Sequence, residues 1–319
     1  MKNTAKDLLF GVAVGDALGV PFEFSSRAQM KTKPAKDMVG YKTHNQPLGT
    51  WSDDSSLTFC LAESLTGGYS LLSLSKKMIQ WKNENYWTAR GEVFDIGITT
   101  SKAISKLEAL IDKGKVDELH LLKYDAIESD NGNGSLMRIL PLLFEVKNKD
   151  IEAQFDIIWE NSALTHPHIR AAMSCLIYLK FAEYLMKGID KFQAYKKMQS
   201  DIINFWQTMN FSVDEQSQFE RIIQNDINNL PEDQIMSGGY VIESLEASLW
   251  SFLNTDNFES SVLKAINFGH DTDTTAAITG GLSGIYYGFE NIPVYWVISL
   301  AKMEEIEELV LRLHQKFLS

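Results

Sequence analysis

Gly269-His270-Asp271-Thr272-Asp273-Thr274-Thr275 sets two carboxylates and several hydroxyls at the start of an apolar segment. Near the other end of the chain, Thr50-Trp51-Ser52-Asp53-Asp54-Ser55-Ser56 repeats the arrangement. Each run reads as a helix N-terminus: a polar cap, acids in the first turn where the helix dipole favours them, and apolar residues behind. Each is also a cluster of hard oxygen donors, suited to Mg²⁺, Mn²⁺ or Ca²⁺ rather than to a softer metal. Carboxylates at i and i+2 that face one place repel each other unless a cation lies between them. Two such runs suggest two half-sites that folding brings together. That pairing favours an enzyme, and a single domain over residues 1–319 rather than two.

Helical spacing extends outward from both runs. Leu8, Leu9, Val12 and Ala13 begin it, and Leu57, Cys60, Leu61 and Leu65 follow the first acidic run. Ala171–Leu185 is a long apolar stretch, Ile242–Leu253 repeats at i, i+3, i+4, i+7, and Met303–Leu318 alternates Glu pairs with aliphatics. Period-2 strands bounded by hairpin turns are absent, so the expected fold is all-α. Loops are expected over 25–51, 130–134 and 165–167, and a peripheral segment over 204–234.

A net charge of −12 and a pI near 5.0 argue against a nucleic-acid surface, which needs a clustered basic face. Cys60 and Cys175 lie in separate apolar segments and are expected as buried free thiols. No stretch reaches the ~18–20 apolar residues needed to cross a bilayer, and the first residues lack a signal-peptide pattern. The expectation is a cytoplasmic protein with no membrane partner; its oligomeric state is not legible.

Further candidates lie between the two runs. Gly15-Asp16-Ala17-Leu18-Gly19-Val20-Pro21 ends the first helix and leaves Glu23 in a loop among aromatics. Asp95, in Phe94-Asp95-Ile96-Gly97, is a lone acid among apolar residues: a general base, or a cap for a helix beginning near Gly97. Asn131-Gly132-Asn133-Gly134-Ser135 precedes an expected helix, Leu136–Leu140, and offers free N–H groups to a phosphate, although an ordinary turn explains it equally well. His166 is a ligand contact or a structural one. Trp81, Tyr86 and Trp87 fit core packing better than a base-stacking site.

Taken in order, these segments resemble the ADP-ribosylglycohydrolase family. The matching pieces are Gly15-Asp16-Ala17-Leu18-Gly19 with Glu23, Ser52-Asp53-Asp54-Ser55, Asp95-Ile96-Gly97-Ile98-Thr99 and Asn131-Gly132-Asn133-Gly134-Ser135-Leu136-Met137-Arg138. Thr165-His166-Pro167, the stretch from Gly239 to Ala247, and Asp271-Thr272-Asp273-Thr274-Thr275-Ala276 complete the series. The resemblance implies a compact all-α domain with a binuclear Mg²⁺ (or Mn²⁺) centre that hydrolyses the bond between ADP-ribose and an acceptor, such as arginine on a protein. It implies metal ligation by Ser52, Asp53, Asp54, Asp271, Asp273 and Thr274, and catalytic roles for Glu23 and Asp95. It implies ADP-ribose contacts from Asn131, Gly132, Asn133, Gly134, Ser135, His166 and Tyr240. Serine replaces the commoner threonine at Ser52 and Ser55, and His270 stands where many members have glycine. The alternatives are hydrolysis of another ribosyl or nucleotide-like glycoside, and ADP-ribose binding without turnover.

Overall fold

Gly11, Gly15 and Gly19 recur at every fourth position of helix α1 (Thr4–Gly19) and so share one face. In the computed structural model, which describes residues 4–317, that face lies against a helix spanning Thr272–Tyr287. The approach is backbone to backbone. A Cβ on Gly11 would come within 2.3 Å of the Gly280 carbonyl oxygen, one on Gly15 within 2.1 Å of Ala276 O, and one on Gly19 within 2.4 Å of Asp273 Cα. On the other side Gly280 and Gly284 meet Gly11 and Asp7 in the same way. The pairs 11/280, 15/276 and 19/273 run in opposite directions, so the two helices are antiparallel. The C-terminal end of one therefore meets the N-terminal end of the other.

The remaining elements surround this pair. They are α2 (Arg27–Thr32), α3 (Asp53–Thr66), α4 (Leu71–Glu84), α5 (Ile98–Asp112) and α6 (Leu143–Val146). Next come α7 (Ile151–Ala163), α8 (Ile169–Met186), α9 (Lys191–Thr208), α10 (Val213–Gln218) and α11 (Glu220–Ile223). After α12 (Val241–Leu253) and α13 (Phe258–Ile266), the glycine-faced partner Thr272–Tyr287 is α14, and α15 (Val294–Ser299) and α16 (Met303–Phe317) follow. All but α10 contribute to one continuous apolar core. Among the described residues there is no strand, only an antiparallel bridge between Gly132 and Tyr240. The all-α expectation holds, and among the described residues no helix is long and apolar enough to cross a membrane.

One local expectation needs correction. Leu136–Leu140 is not a helix; residues 135–138 form turns that run into a short 3₁₀ segment, Leu140–Leu142. Pro141 has no N–H to continue an α-helical ladder, and Arg138 is fully buried and held by Asn161 and Thr165. Part of the stretch 204–234 is packed into the core. Its first residues finish α9, and Phe219, Ile222 and Ile227 are buried, with Gln199 donating to the Ile222 and Asn225 carbonyls. Trp81 and Trp87 are buried, the latter 5.0 Å from Phe59, in keeping with core packing. Cys60 and Cys175 are buried free thiols.

Candidate active site

The two acidic runs begin α3 and α14, and the end of α1 lies between them. Ser52 caps α3: its Oγ accepts from Asp54 N at 3.3 Å and donates to Asp54 Oδ2 at 3.2 Å. Thr274, in the first turn of α14, donates to the same Asp54 oxygen at 3.3 Å across 220 residues of sequence. Asp271 occupies the cap position of α14 without capping it. Its carboxylate instead accepts from Asn133 Nδ2 at 2.7 Å, and Asn133 also donates to Ser244 Oγ at 2.8 Å. Thr272 Oγ1 donates to Gly19 O at 2.8 Å and ties α14 to the end of α1. The dipoles of two helix N-termini thus offset part of the cost of gathering these charges.

Asp16 went unassigned in the sequence because a single buried acid inside a helix has no local signature. The fully buried carboxylate accepts from Ser52 N (3.0 Å), Ser55 N (2.9 Å) and Ser55 Oγ (2.6 Å). Burial pushes it up to about 6 against these hydrogen bonds, which pull the other way. It holds the first turn of α3, and hence Asp53 and Asp54, against α1. Asp16→Ala leaves those buried donors without an acceptor and is expected to cost about 3 kcal/mol, since each orphaned donor costs roughly 1–3. Denaturant unfolding reads this directly, and a variant within 0.5 kcal/mol of wild type, on the order of an ordinary surface change, would refute the anchoring role.

Glu23, Asp53, Asp95, Gly132, Asn133, Gly134, His166, Asp271 and Thr274 line one cleft of about 400 Å³. Carboxylate oxygens of Glu23, Asp271 and Asp273 lie within 4.8 Å of one another, as do ligand atoms of Glu23, His44 and Asp95. His44 is the main residue the sequence reading missed. It comes from an irregular loop, hydrogen-bonds Glu23 Oε2 through Nε2, and packs 5.4 Å from the Phe94 ring and 5.9 Å from that of Phe24. A lone histidine in a polar loop gives no periodic signal.

Electrostatics set this cluster apart. Burial, reinforced by neighbouring carboxylates, pushes Asp53, Asp54 and Asp273 well above the usual range. Burial pushes Glu23 up to about 7 against the His44 hydrogen bond, with the Asp95 and Asp271 charges adding to the rise. Asp95 also rises by burial, while the Glu23 hydrogen bond raises His44. A bound cation reverses this logic and favours the charged carboxylates. Asp54 Oδ1 is buried with no hydrogen-bond partner. An orphaned anionic oxygen within an all-oxygen donor set fits a hard divalent cation.

The Asn/Gly loop is partly a wall and partly a foundation. Gly132 and Gly134 leave room beside His166: a Cβ on Gly134 would lie 2.6 Å from its Cε1. Asn133 N donates to Gly239 O, and Asn131 O accepts from Val241 N. Ser135 is buried beneath the loop and accepts from Ser162 Oγ at 2.8 Å. Tyr240 pairs with the loop through its backbone bridge, and its side chain lies outside the residues lining the cleft. His166 is buried, and burial with the nearby Arg138 charge pushes it down to about 3. Thr165 Oγ1 accepts from Arg138 at 2.9 Å and is 2.9 Å from His166 Nδ1. With Thr165 Oγ1 accepting from Arg138, its own hydrogen is free to go to Nδ1, which leaves the proton on Nε2 beside the glycine loop.

A family model for ADP-ribosylglycohydrolase matches residues 1–319, the whole chain. The chain belongs to the ADP-ribosylglycohydrolase family. It is similar to the ADP-ribosylarginine hydrolase Tri1 of Serratia proteamaculans (strain 568), with 30% identity over 315 residues that cover 96% of this chain and 78% of that protein. It is 23% identical to the ADP-ribosyl-[dinitrogen reductase] glycohydrolase of Rhodospirillum rubrum, over 96% of this chain and 92% of that one. A solved structure described as an ADP-ribosylglycohydrolase-related protein complex superposes with a TM-score of 0.77 at 27% identity, covering 99% of both chains. Both relatives are named as hydrolases of ADP-ribosyl groups, and the chain is a glycosidic-bond hydrolase.

Proposed function

We propose that this ADP-ribosylglycohydrolase is a Mg²⁺-dependent enzyme that releases ADP-ribose from arginine side chains of modified proteins. The observation that carries the reading is the convergence of Asp53, Asp271, Glu23 and Asp95 with the Asn/Gly loop and His166 in one cleft. The arginine acceptor is supported by the 30% identity to relatives named ADP-ribosylarginine hydrolase.

Ser52, Asp53, Asp54, Asp271, Asp273 and Thr274 would hold two Mg²⁺, and Mn²⁺ suits the same donors. Bound there, the cations supply electrophilic anchoring for the ribose hydroxyls. The chain's own residues do the rest. Gly132 and Gly134, with the Nε2–H of His166, receive the diphosphate side, while Asn133, whose N–H groups go to Gly239, Ser244 and Asp271, holds the loop in place. Breaking the bond from the anomeric carbon to the guanidino nitrogen builds oxocarbenium character, which the Glu23 and Asp95 carboxylates stabilise. Water bonds to that carbon and its proton passes to the departing nitrogen. We assign the transfer to Glu23, whose hydrogen bond to His44 gives the proton a second resting place.

The test is release of ADP-ribose from an ADP-ribosylated arginine protein with EDTA, and again after Mg²⁺ is restored. Release is expected to fall by about 10²-fold or more in EDTA and to return with Mg²⁺. Release from serine conjugates or small ribosyl glycosides alone would reassign the acceptor. No release from any of them would overturn the reaction.

A further inference from the structure

Beside the cleft, on the far side of a shared wall, lies a second concavity. Residues 22–25 divide between the two: Glu23 and Phe24 line the cleft, Phe22 and Ser25 line a groove of about 580 Å³. The other half of the wall is 42–44, where His44 turns to Glu23 and Lys42 and Thr43 line the groove. Thr43 ties the halves together by donating to Glu23 O at 2.9 Å.

The groove is cationic within an acidic protein. Residues 27–42 carry Arg27, Lys31, Lys33, Lys36 and Lys42 against one carboxylate, Asp37, in a chain of net charge −12. Arg27 is consumed structurally, donating to the carbonyls of Phe268, Glu232 and Ile235. Lys33 and Lys42 face the groove, and among the described residues neither ion-pairs with a carboxylate. Lys42 Nζ lies 3.5 Å from the centre of the Phe22 ring on the groove floor. The wall that presents them is pinned. Ser26 and Gln29 form a capping box on α2, and Asn267 brackets Ala35 through both its N–H (2.8 Å) and its carbonyl (3.1 Å). Two unneutralised ammonium groups on a fixed surface are preorganised for anions.

We propose that this groove docks an acidic segment flanking the modified residue of the protein substrate, its carboxylates meeting Lys33 and Lys42. This rests on the protein-hydrolase reading of the neighbouring cleft. An acceptor chain leaving that cleft over residues 22–25 and 42–44 passes onto the groove that Lys33 and Lys42 line. Protein is favoured over nucleic acid because two lysines neutralise few phosphates, whereas the remaining acidic surface repels a long polyanion.

The experiment compares wild type with Lys33→Gln/Lys42→Gln on three substrates: free ADP-ribosyl-arginine, an ADP-ribosyl-arginine peptide flanked by glutamates, and the same peptide flanked by glutamines. Two exposed contacts predict that kcat/KM on the glutamate peptide falls about tenfold, through KM, and that the loss shrinks at high salt. The other two substrates are expected to be turned over as by wild type, and Lys76→Gln/Lys197→Gln to change nothing. No change, or an equal loss on all three substrates, overturns the proposal. Anisotropy with a fluorescein-labelled, unmodified glutamate peptide reads the groove even if the cleft proves to have another substrate. Weaker binding by the double variant supports the groove, and equal binding overturns it. A single-stranded oligonucleotide that binds more tightly than the peptide, and loses affinity in the same variant, overturns it in favour of nucleic acid.

Discussion

Asp54→Asn is expected to abolish turnover while making the metal-free protein more stable. Asp54 is 1% exposed, one of its oxygens has no partner, and its carboxylate sits among those of Asp16, Asp53 and Asp271. Asparagine keeps the shape and the acceptor facing Ser52 and Thr274 but removes a buried negative charge from a group of like charges. Losing a metal-ligand charge should lower kcat/KM by about 10²-fold or more. The same change relieves repulsion in the metal-free state, and each kcal/mol relieved raises Tm by about 1.5 °C for a chain of 319 residues. Thermal unfolding in EDTA and in Mg²⁺ separates the two effects. The variant should melt higher than wild type in EDTA and gain less from Mg²⁺. Retained activity, or an unchanged response to Mg²⁺, would show that Asp54 is not a ligand. Such opposition of stability and activity is expected where a fold gathers charges for function.

Gly15→Ala should be among the most damaging single-methyl changes at the α1–α14 contact. Helix propensity alone favours it by about 1 kcal/mol. Against that gain, the new Cβ would lie 2.1 Å from Ala276 O and 2.7 Å from its carbonyl carbon, both backbone atoms that no rotamer change can move. The helices must separate by about an ångström along a ladder that includes Gly11/Gly280 and Gly19/Asp273. Overpacking of this kind costs roughly 1–3 kcal/mol where side chains can yield and more where only backbone is present. A net loss of about 3 kcal/mol or more in denaturant unfolding is expected, with activity falling too, because Asp16 and Asp273 ride on the separated helices. Gly67→Ala is the control. It lies at the end of α3 with a negative φ, and a Cβ there meets only Ser64 O, at 3.7 Å. Wild-type stability in Gly15→Ala would contradict the backbone contact.

Much of this was legible before folding was considered. Apolar periodicity located α1, α3, α8, α12 and α16 because helices bury one face at a 3.6-residue repeat, which is a local property. Ser52 was legible as a cap for the same reason, since a hydroxyl followed by two acids satisfies the donors of its own turn. The helix expected at Leu136 failed because Pro141 and the burial of Arg138 outweighed local apolarity. Ser135 and Tyr240 fell in the right segments, but their side chains support the loop or lie outside the cleft instead of lining it.

By itself, then, the sequence determined an all-helical chain, two helix starts dense in hard oxygen donors, and an order of motifs specific to one family. Only the tertiary structure decided that Asp16 anchors Ser52 and Ser55, that His44 partners Glu23, and that Asn133 holds Asp271. It also decided that Phe22–Ser25 separates the cleft from a cationic groove. Caps and periodicity act within a turn or two and so leave a mark on neighbouring residues. Contacts such as Thr274 with Asp54 depend on how closely α1 and α14 approach, and that distance is set by glycines whose importance lies in the side chains they lack.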